Sequence, residues 1–140
     1  MSIKDPAINV IPENSMQTEY FRLTEYFIRR FGANTILFMQ VGAFYEIYAT
    51  RNPETGILSR SRIEDVATIC GGMAITDKKQ THGKEMVVMA GFRDYNVDRY
   101  IQNVVDANFT AVGYTQKEIE KGKMTRELNA IYSPGTFLPS

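Results

Sequence analysis

The sequence predicts an α/β domain, a single mixed β-sheet of about six strands flanked by about three helices. Three observations carry that prediction. Stretches with apolar residues at helical spacing alternate with short β-branched and aromatic runs, one or two at a time. Gly, Pro and Asn breaks separate them at short intervals, as expected for elements joined by loops of a few residues. The 140 residues match the usual size of one domain and can bury a sizeable core.

Residues 1–13 hold two prolines without periodic pattern and read as a lead-in; the domain spans 14–133, and 134–140 begin a linker to a further domain. Met16, Tyr20, Leu23, Phe27 and Phe31 fall on one helical face, so a helix is expected over about 15–31. Asn14 and Gln17 form a capping-box-like start, and Gly32 marks its end. Thr35 to Val41 is β-branched and apolar; Gly42 interrupts and Phe44 to Tyr48 resumes, giving two strands or one bent strand. Residues 49–60, with Asn-Pro-Glu-Thr-Gly in the middle, read as a loop. Ser61 and Glu64 have capping-box spacing before a short apolar face of Ile63, Val66, Ala67 and Cys70 that stops at Gly71-Gly72. A short strand follows over 73–76, then a polar loop over 77–85, then an apolar strand over 86–90. Asn96 is placed to cap a helix whose face is Val97, Tyr100, Ile101, Val104 and Val105. Strands over 109–115 and 126–132 bracket a charged loop and complete the sheet.

Acidic and basic residues balance, 16 against 16, so no global field draws the chain to nucleic acid or to a membrane surface. One cysteine excludes an internal disulfide, and with one histidine it also excludes a Cys/His zinc cluster. No apolar run is long enough to span a bilayer and the start lacks a signal-peptide layout, so an intracellular, soluble domain is expected.

Catalytic templates fail individually. Neither Gly83-Lys84 nor Gly122-Lys123 has the upstream glycine and following hydroxyl of a phosphate loop, so no enzymatic activity is expected of these residues. His82 reads as a solvated loop residue, and Cys70, on the apolar side of a helix end, as a small core residue. The most informative stretch is 39–48, Met-Gln-Val-Gly-Ala-Phe-Tyr-Glu-Ile-Tyr. In a strand, Phe44 and Glu46 share one face while Tyr45 and Ile47 take the other. A flat hydrophobe beside an acceptor suits a probe that stacks on a planar ring and hydrogen-bonds its edge. Taken alone, the pair reads more readily as a core Phe with Glu46 at a sheet edge, since strand aromatics are usually core; Lys78-Lys79 fit a solvated loop, and Met89-Ala-Gly91 fit a strand ending in a turn.

In order and spacing, these elements closely resemble the N-terminal domain of the MutS mismatch-repair family. The resemblance covers about 15–136. It rests on Met16-x-x-x-Tyr20 in the first helix, Gly-x-Phe-Tyr-Glu at 42–46, Thr-x-Lys-Lys at 76–79, Met-Ala-Gly-Phe at 89–92, Asp98-Arg99-Tyr100, and Pro-Gly-Thr at 134–136. The chain departs from the family at Ala43, where an acidic residue is usual, at Arg93-Asp94-Tyr95, where Pro-Tyr-His is usual, and in a longer loop over 49–60. These departures suggest a divergent branch.

The resemblance implies that Phe44 enters the minor groove and stacks on a mispaired or unpaired base while Glu46 hydrogen-bonds that base. Lys78, Lys79, Met89, Gly91 and Phe92 are implied as secondary DNA contacts. Unstacking a duplex step costs a few kcal/mol, least where pairing is already defective, and aromatic–base stacking returns about 1–3 kcal/mol. The partner is then double-stranded DNA with mismatches or small unpaired loops. No cofactor is expected in this chain; the resemblance implies ATP, magnesium and a dimer for a longer parent ATPase, of which this chain is expected to be a fragment rather than a free-standing domain. Two other readings stand beside it: a small metal-dependent nuclease using Glu46 with other carboxylates, and a protein-interaction module that has lost DNA binding.

Overall fold

The computed structural model describes residues 10–12 and 16–134. One mixed sheet runs through them, with three α-helices packed on it: α1 (Met16–Phe31), α2 (Ile63–Ile69) and α3 (Val97–Asp106). The strands are β1 (Val10–Pro12), β2 (Thr35–Val41), β3 (Phe44–Arg51), β4 (Leu58–Ser59), β5 (Thr76–His82), β6 (Glu85–Arg93), β7 (Thr110–Glu120) and β8 (Lys123–Tyr132). Their order is β1-β8-β7-β2-β3-β6-β5, with the two-residue β4 also paired to β3. Only β2 and β7 run parallel; every other pair is antiparallel. The expected α/β class and the three helices are as the sequence predicts.

The strands in the middle of the sheet are buried on both faces, which is why they read as continuous apolar runs. On one face, α1 sets Tyr20 edge-on against Tyr48, ring centroids 5.0 Å apart, and Phe27 against Tyr114. The Tyr20 hydroxyl donates to the Leu37 carbonyl at 2.7 Å, so its one polar atom is satisfied inside the core. On the other face, Phe92 packs on Phe38, Tyr45 and Tyr100. Helices α2 and α3 cover that side, burying Ile63, Val66, Ile101, Val104 and Val105. No helix among the described residues is long and apolar enough to cross a membrane.

Several local expectations are corrected. The polar stretch 77–85 is mostly the edge strand β5 with a turn at Gly83-Lys84, and 73–76 joins no ladder before Thr76. An edge strand polar on both faces shows no alternation from which to be recognised. Likewise, the charged segment 116–125 extends β7 and β8 into a long ribbon. The Ser61–Glu64 capping box does not form. Arg62 is the N-cap, without a side-chain cap, and the Ser61 hydroxyl donates to the Tyr48 carbonyl at 2.6 Å instead. Asn96 precedes α3 but makes no side-chain cap bond. Of the 49–60 segment, 49–51 belong to β3; Asn52 closes a turn by accepting from the Glu54 and Thr55 amides. The Asn14 cap and the Gly135-Thr136 end of the Pro-Gly-Thr motif lie outside the described residues.

Cys70 is buried in the core and its thiol is pushed up to about 11 by desolvation, as suits an inert packing residue. Burial also raises the phenols of Tyr20, Tyr48 and Tyr114 well above their ordinary value. Their native protonation contributes stability that is complete below the unfolded value of about 10 and is lost as pH climbs through the raised native values. Spectrophotometric titration should therefore find part of the tyrosine absorbance change coincident with loss of circular dichroism above about pH 10. Full tyrosine ionisation of a still folded domain would contradict this packing.

Candidate nucleic-acid interface

Strand β3 changes character along its length. From Tyr48 onward both faces are buried, but at the hairpin end Tyr45 is buried, Glu46 half-buried and Phe44 41% exposed. The register explains the change. Residue Tyr48 meets α1 near its start through Tyr20, and Phe44 and Glu46 lie on the same face, two and one alternations beyond that point. The sheet outruns its helix, leaving the pair uncovered. Phe44 is therefore a projecting ring, not a core one.

The two-residue turn Gly42-Ala43 joins Val41 to Phe44, which face each other across the hairpin. Gly42 has φ +60°, the geometry of a hairpin whose first turn residue must be glycine or close to it. A side chain from far along the chain holds this turn. Gln116 Nε2 donates to the Gly42 carbonyl at 3.1 Å, and the Gly42 amide donates to Gln116 Oε1 at 2.9 Å. The main-chain N–H of Gln116 in turn donates to Gln40 Oε1 at 3.0 Å. These bonds continue the parallel β2–β7 ladder, whose main-chain register ends at Met39 and Tyr114. Arg126, buried on β8, donates from Nε to the Gln40 carbonyl at 3.0 Å.

Glu46 is oriented from its own strand. The Tyr48 hydroxyl, two residues on and on the same face, donates to Glu46 Oε1. Burial, and then this bond to the carboxylate, raise the Tyr48 phenol, so Tyr48 stays a donor across the physiological range. One carboxylate oxygen is thus engaged while the other can accept from an incoming donor.

Across from Glu46 in the β3–β6 ladder stands Gly91. A Cβ there would lie 3.0 Å from the Tyr45 carbonyl, 3.4 Å from Glu46 Cγ and 3.5 Å from Met89 Sδ. Gly91 thus makes room for the Glu46 side chain. Phe44, Glu46, Met89 and Gly91 line a cleft of about 370 Å³, completed by Ala74 and Thr76. Arg93, paired with Phe44 in the ladder, holds its guanidinium carbon 4.9 Å from the Phe44 ring centroid.

The remaining sequence-predicted residues fall differently. Phe92 is 7% exposed and faces the helix-covered side, stacked on Tyr45 with centroids 6.0 Å apart, so it sits in the core as a packed ring. Lys78 and Lys79 sit on β5 where the register slips between Asp77 and Thr81, Lys79 at φ +58°. They do not line the cleft. The bulge leaves Lys79 exposed and Lys78 half-buried at the sheet edge. His82 ends β5 with its ring 4.9 Å from Phe21, half-buried rather than solvated. Sequence reasoning missed Gln116, Arg126, Tyr48 as a positioning group, and Ala74. The β3 alternation alone could have found Tyr48; the other three depend on pairings between distant segments. Among the described residues, no group of three or more His, Cys, Asp or Glu could hold a metal ion, so a nuclease reading has no ligand set to draw on there.

Known proteins bear on the arrangement. The family model of MutS domain I matches residues 64–140. A mutS homologue of Acanthamoeba polyphaga mimivirus is 28% identical over 127 residues, 90% of this chain and 11% of that protein. A match over that share cannot leave out Phe44 and Glu46. The mitochondrial DNA mismatch repair mutS homologue of Sarcophyton glaucum is 25% identical over 89% of this chain and 14% of its own length. The DNA mismatch repair protein MutS of Rhodopirellula baltica is 26% identical over 74% and 10%. The chain thus spans about a tenth of the length of the curated relatives it matches.

The room at Gly91 has a measurable sign. Replacing glycine by alanine within a strand ordinarily stabilises by about 0.5–1 kcal/mol. Gly91→Ala should do the reverse, costing about 1–3 kcal/mol through overpacking against the Tyr45 carbonyl. Urea unfolding of the two proteins checks it, and a neutral or stabilising result would mean that the backbone at Gly91 has room for a side chain beside Tyr45 and Glu46.

Proposed function

The chain belongs to the MutS domain I family, and from that premise we propose that it recognises mismatched or unpaired bases in duplex DNA during mismatch repair. Phe44 is the wedge, entering from the minor groove and stacking on the defective base. Glu46 accepts a hydrogen bond from that base. The observation that carries this reading is the projection of Phe44, 41% exposed on an open sheet face, beside a carboxylate whose orientation is already set.

The pairing of the two side chains accounts for selectivity. A defective step unstacks at least cost, so the stacking gained on Phe44, about 1–3 kcal/mol, suffices there and falls short at a paired step. Glu46 places a negative charge near phosphates. At a mismatch a free base edge compensates; at a matched step nothing does, and the charge penalises binding. Met89, Gly91 and Thr76 form the cleft floor beneath the wedge. Lys78 and Lys79 supply phosphate contacts from the edge strand. ATP, magnesium and dimerisation are proposed for a longer protein carrying this domain, and not for these residues.

Because affinity resides largely in phosphate contacts and this chain has no net charge, its binding alone should be weak, in the non-specific range of about 10⁻⁴–10⁻⁶ M at physiological salt. Sub-nanomolar binding would refute that distribution of affinity. Mutating the lysines tests the edge strand. Lys78→Ala with Lys79→Ala should weaken matched and mismatched binding alike and flatten the salt dependence, whereas an unchanged salt slope would return both to a solvated edge.

Phe44→Ala should abolish discrimination between mismatched and matched duplexes with little loss of thermal stability. A core Phe would cost about 3–5 kcal/mol. Glu46→Ala should leave matched binding equal or tighter, so selectivity shrinks from the opposite side. Titrations of both duplexes with each variant decide the matter. Retained discrimination in Phe44→Ala, or equal weakening of both duplexes by Glu46→Ala, would sink the stacking-plus-acceptor account.

A further inference from the structure

Arg93 stands at a position where the MutS resemblance leads one to expect proline, and the structure gives it a place at the wedge. It pairs with Phe44 across the β3–β6 ladder and is exposed on the same sheet face. Its guanidinium lies over the Phe44 ring, 4.9 Å from carbon to centroid. No carboxylate pairs with it among the described residues, although acidic groups are close in sequence. Glu46, on the same face, is engaged by the Tyr48 hydroxyl. Asp94 and Asp98 form no ion pair with Arg93, and after burial they help to raise the Tyr45 phenol.

A ring covered on one face by a cation has only the other face for stacking on a base. The cation is then carried to wherever the ring goes. Resting on the same wedge reading, we infer that Arg93 enters DNA together with Phe44 and contacts a phosphate of the kinked step. The guanidinium fork suits a phosphate geometrically, and it is already held against an aromatic face and only weakly hydrated. The domain's net charge of zero therefore conceals a cation at its tip.

The test uses the intact protein carrying this chain and a duplex with a single unpaired thymidine, in which neutral methylphosphonates replace, one at a time, the phosphates flanking the lesion. The unmodified protein should lose affinity severalfold at one or two of these positions. Arg93→Gln keeps length and hydrogen-bonding capacity without charge. It should bind severalfold more weakly to matched and unpaired-base duplexes alike, lower the log–log salt slope by about 0.9, and be indifferent to the neutral phosphates. Arg93→Lys should restore the salt slope. An Arg93→Gln protein with unchanged salt slope and methylphosphonate profile would overturn the inference, and so would one that lost discrimination alone, since Arg93 would then merely brace the ring. Failure of the wedge reading shows separately, as discrimination retained in Phe44→Ala, whatever Arg93 does.

Discussion

Burying Tyr45 and Ile47 decides what the open end of this sheet can present. Because successive strand residues face opposite ways, committing these two to the layer beneath α2 and α3 obliges Phe44 and Glu46 to face the other side. The stack of Tyr45 on Phe92, itself wedged among Phe38 and Tyr100, makes that commitment costly to reverse. A slip of one residue in the β3–β6 register would put an aromatic ring and a carboxylate into the helix-covered core. The orientation of the projecting pair is thus set by hydrophobic energy on the far face, with the turn and its clamp only refining it.

The electrostatic layout follows from the same pleat. Glu46 lies over a glycine instead of a side chain, so it reaches the surface at little steric cost and Tyr48 can fix it from below. A carboxylate held by a neutral phenol keeps its charge available, which a salt bridge to a cation would have cancelled. Two of the pairs that do neutralise one another, Arg51 with Asp77 and Arg60 with Glu85, lie toward the opposite end of these strands.

Much of this was readable in the chain, for reasons that differ by residue. The helical face from Tyr20 to Phe27 and the alternation around Phe44 are strong periodic signals, and both survive in the structure. The motif Met-Ala-Gly-Phe gives no hint that Phe92 is buried. The residue's own alternation with Val88 and Ala90 assigns it to the core. The strand β5 escaped notice because an exposed, bulged edge carries no apolar face to betray it. The apparent capping box at Ser61 fails because the helix starts one residue later, with Arg62 as N-cap, while the Ser61 hydroxyl is turned to the Tyr48 carbonyl of a strand far off in sequence. Gln116 could not have been found locally, since nothing near it in sequence requires an amide.

That last dependence sets a limit on what the decapeptide 39–48 means by itself. In the turn before Phe44, both the amide and the carbonyl of Gly42 are tied to a side chain 74 positions later. Grafted onto another scaffold, or synthesised as a cyclic peptide, the same ten residues would lack the tether and the ring beneath Tyr45. They would sample many hairpin geometries and lose, as conformational entropy on docking, what the native sheet has already spent in folding. The motif is a local signature of a non-local object, and transplanting it means transplanting the four central strands.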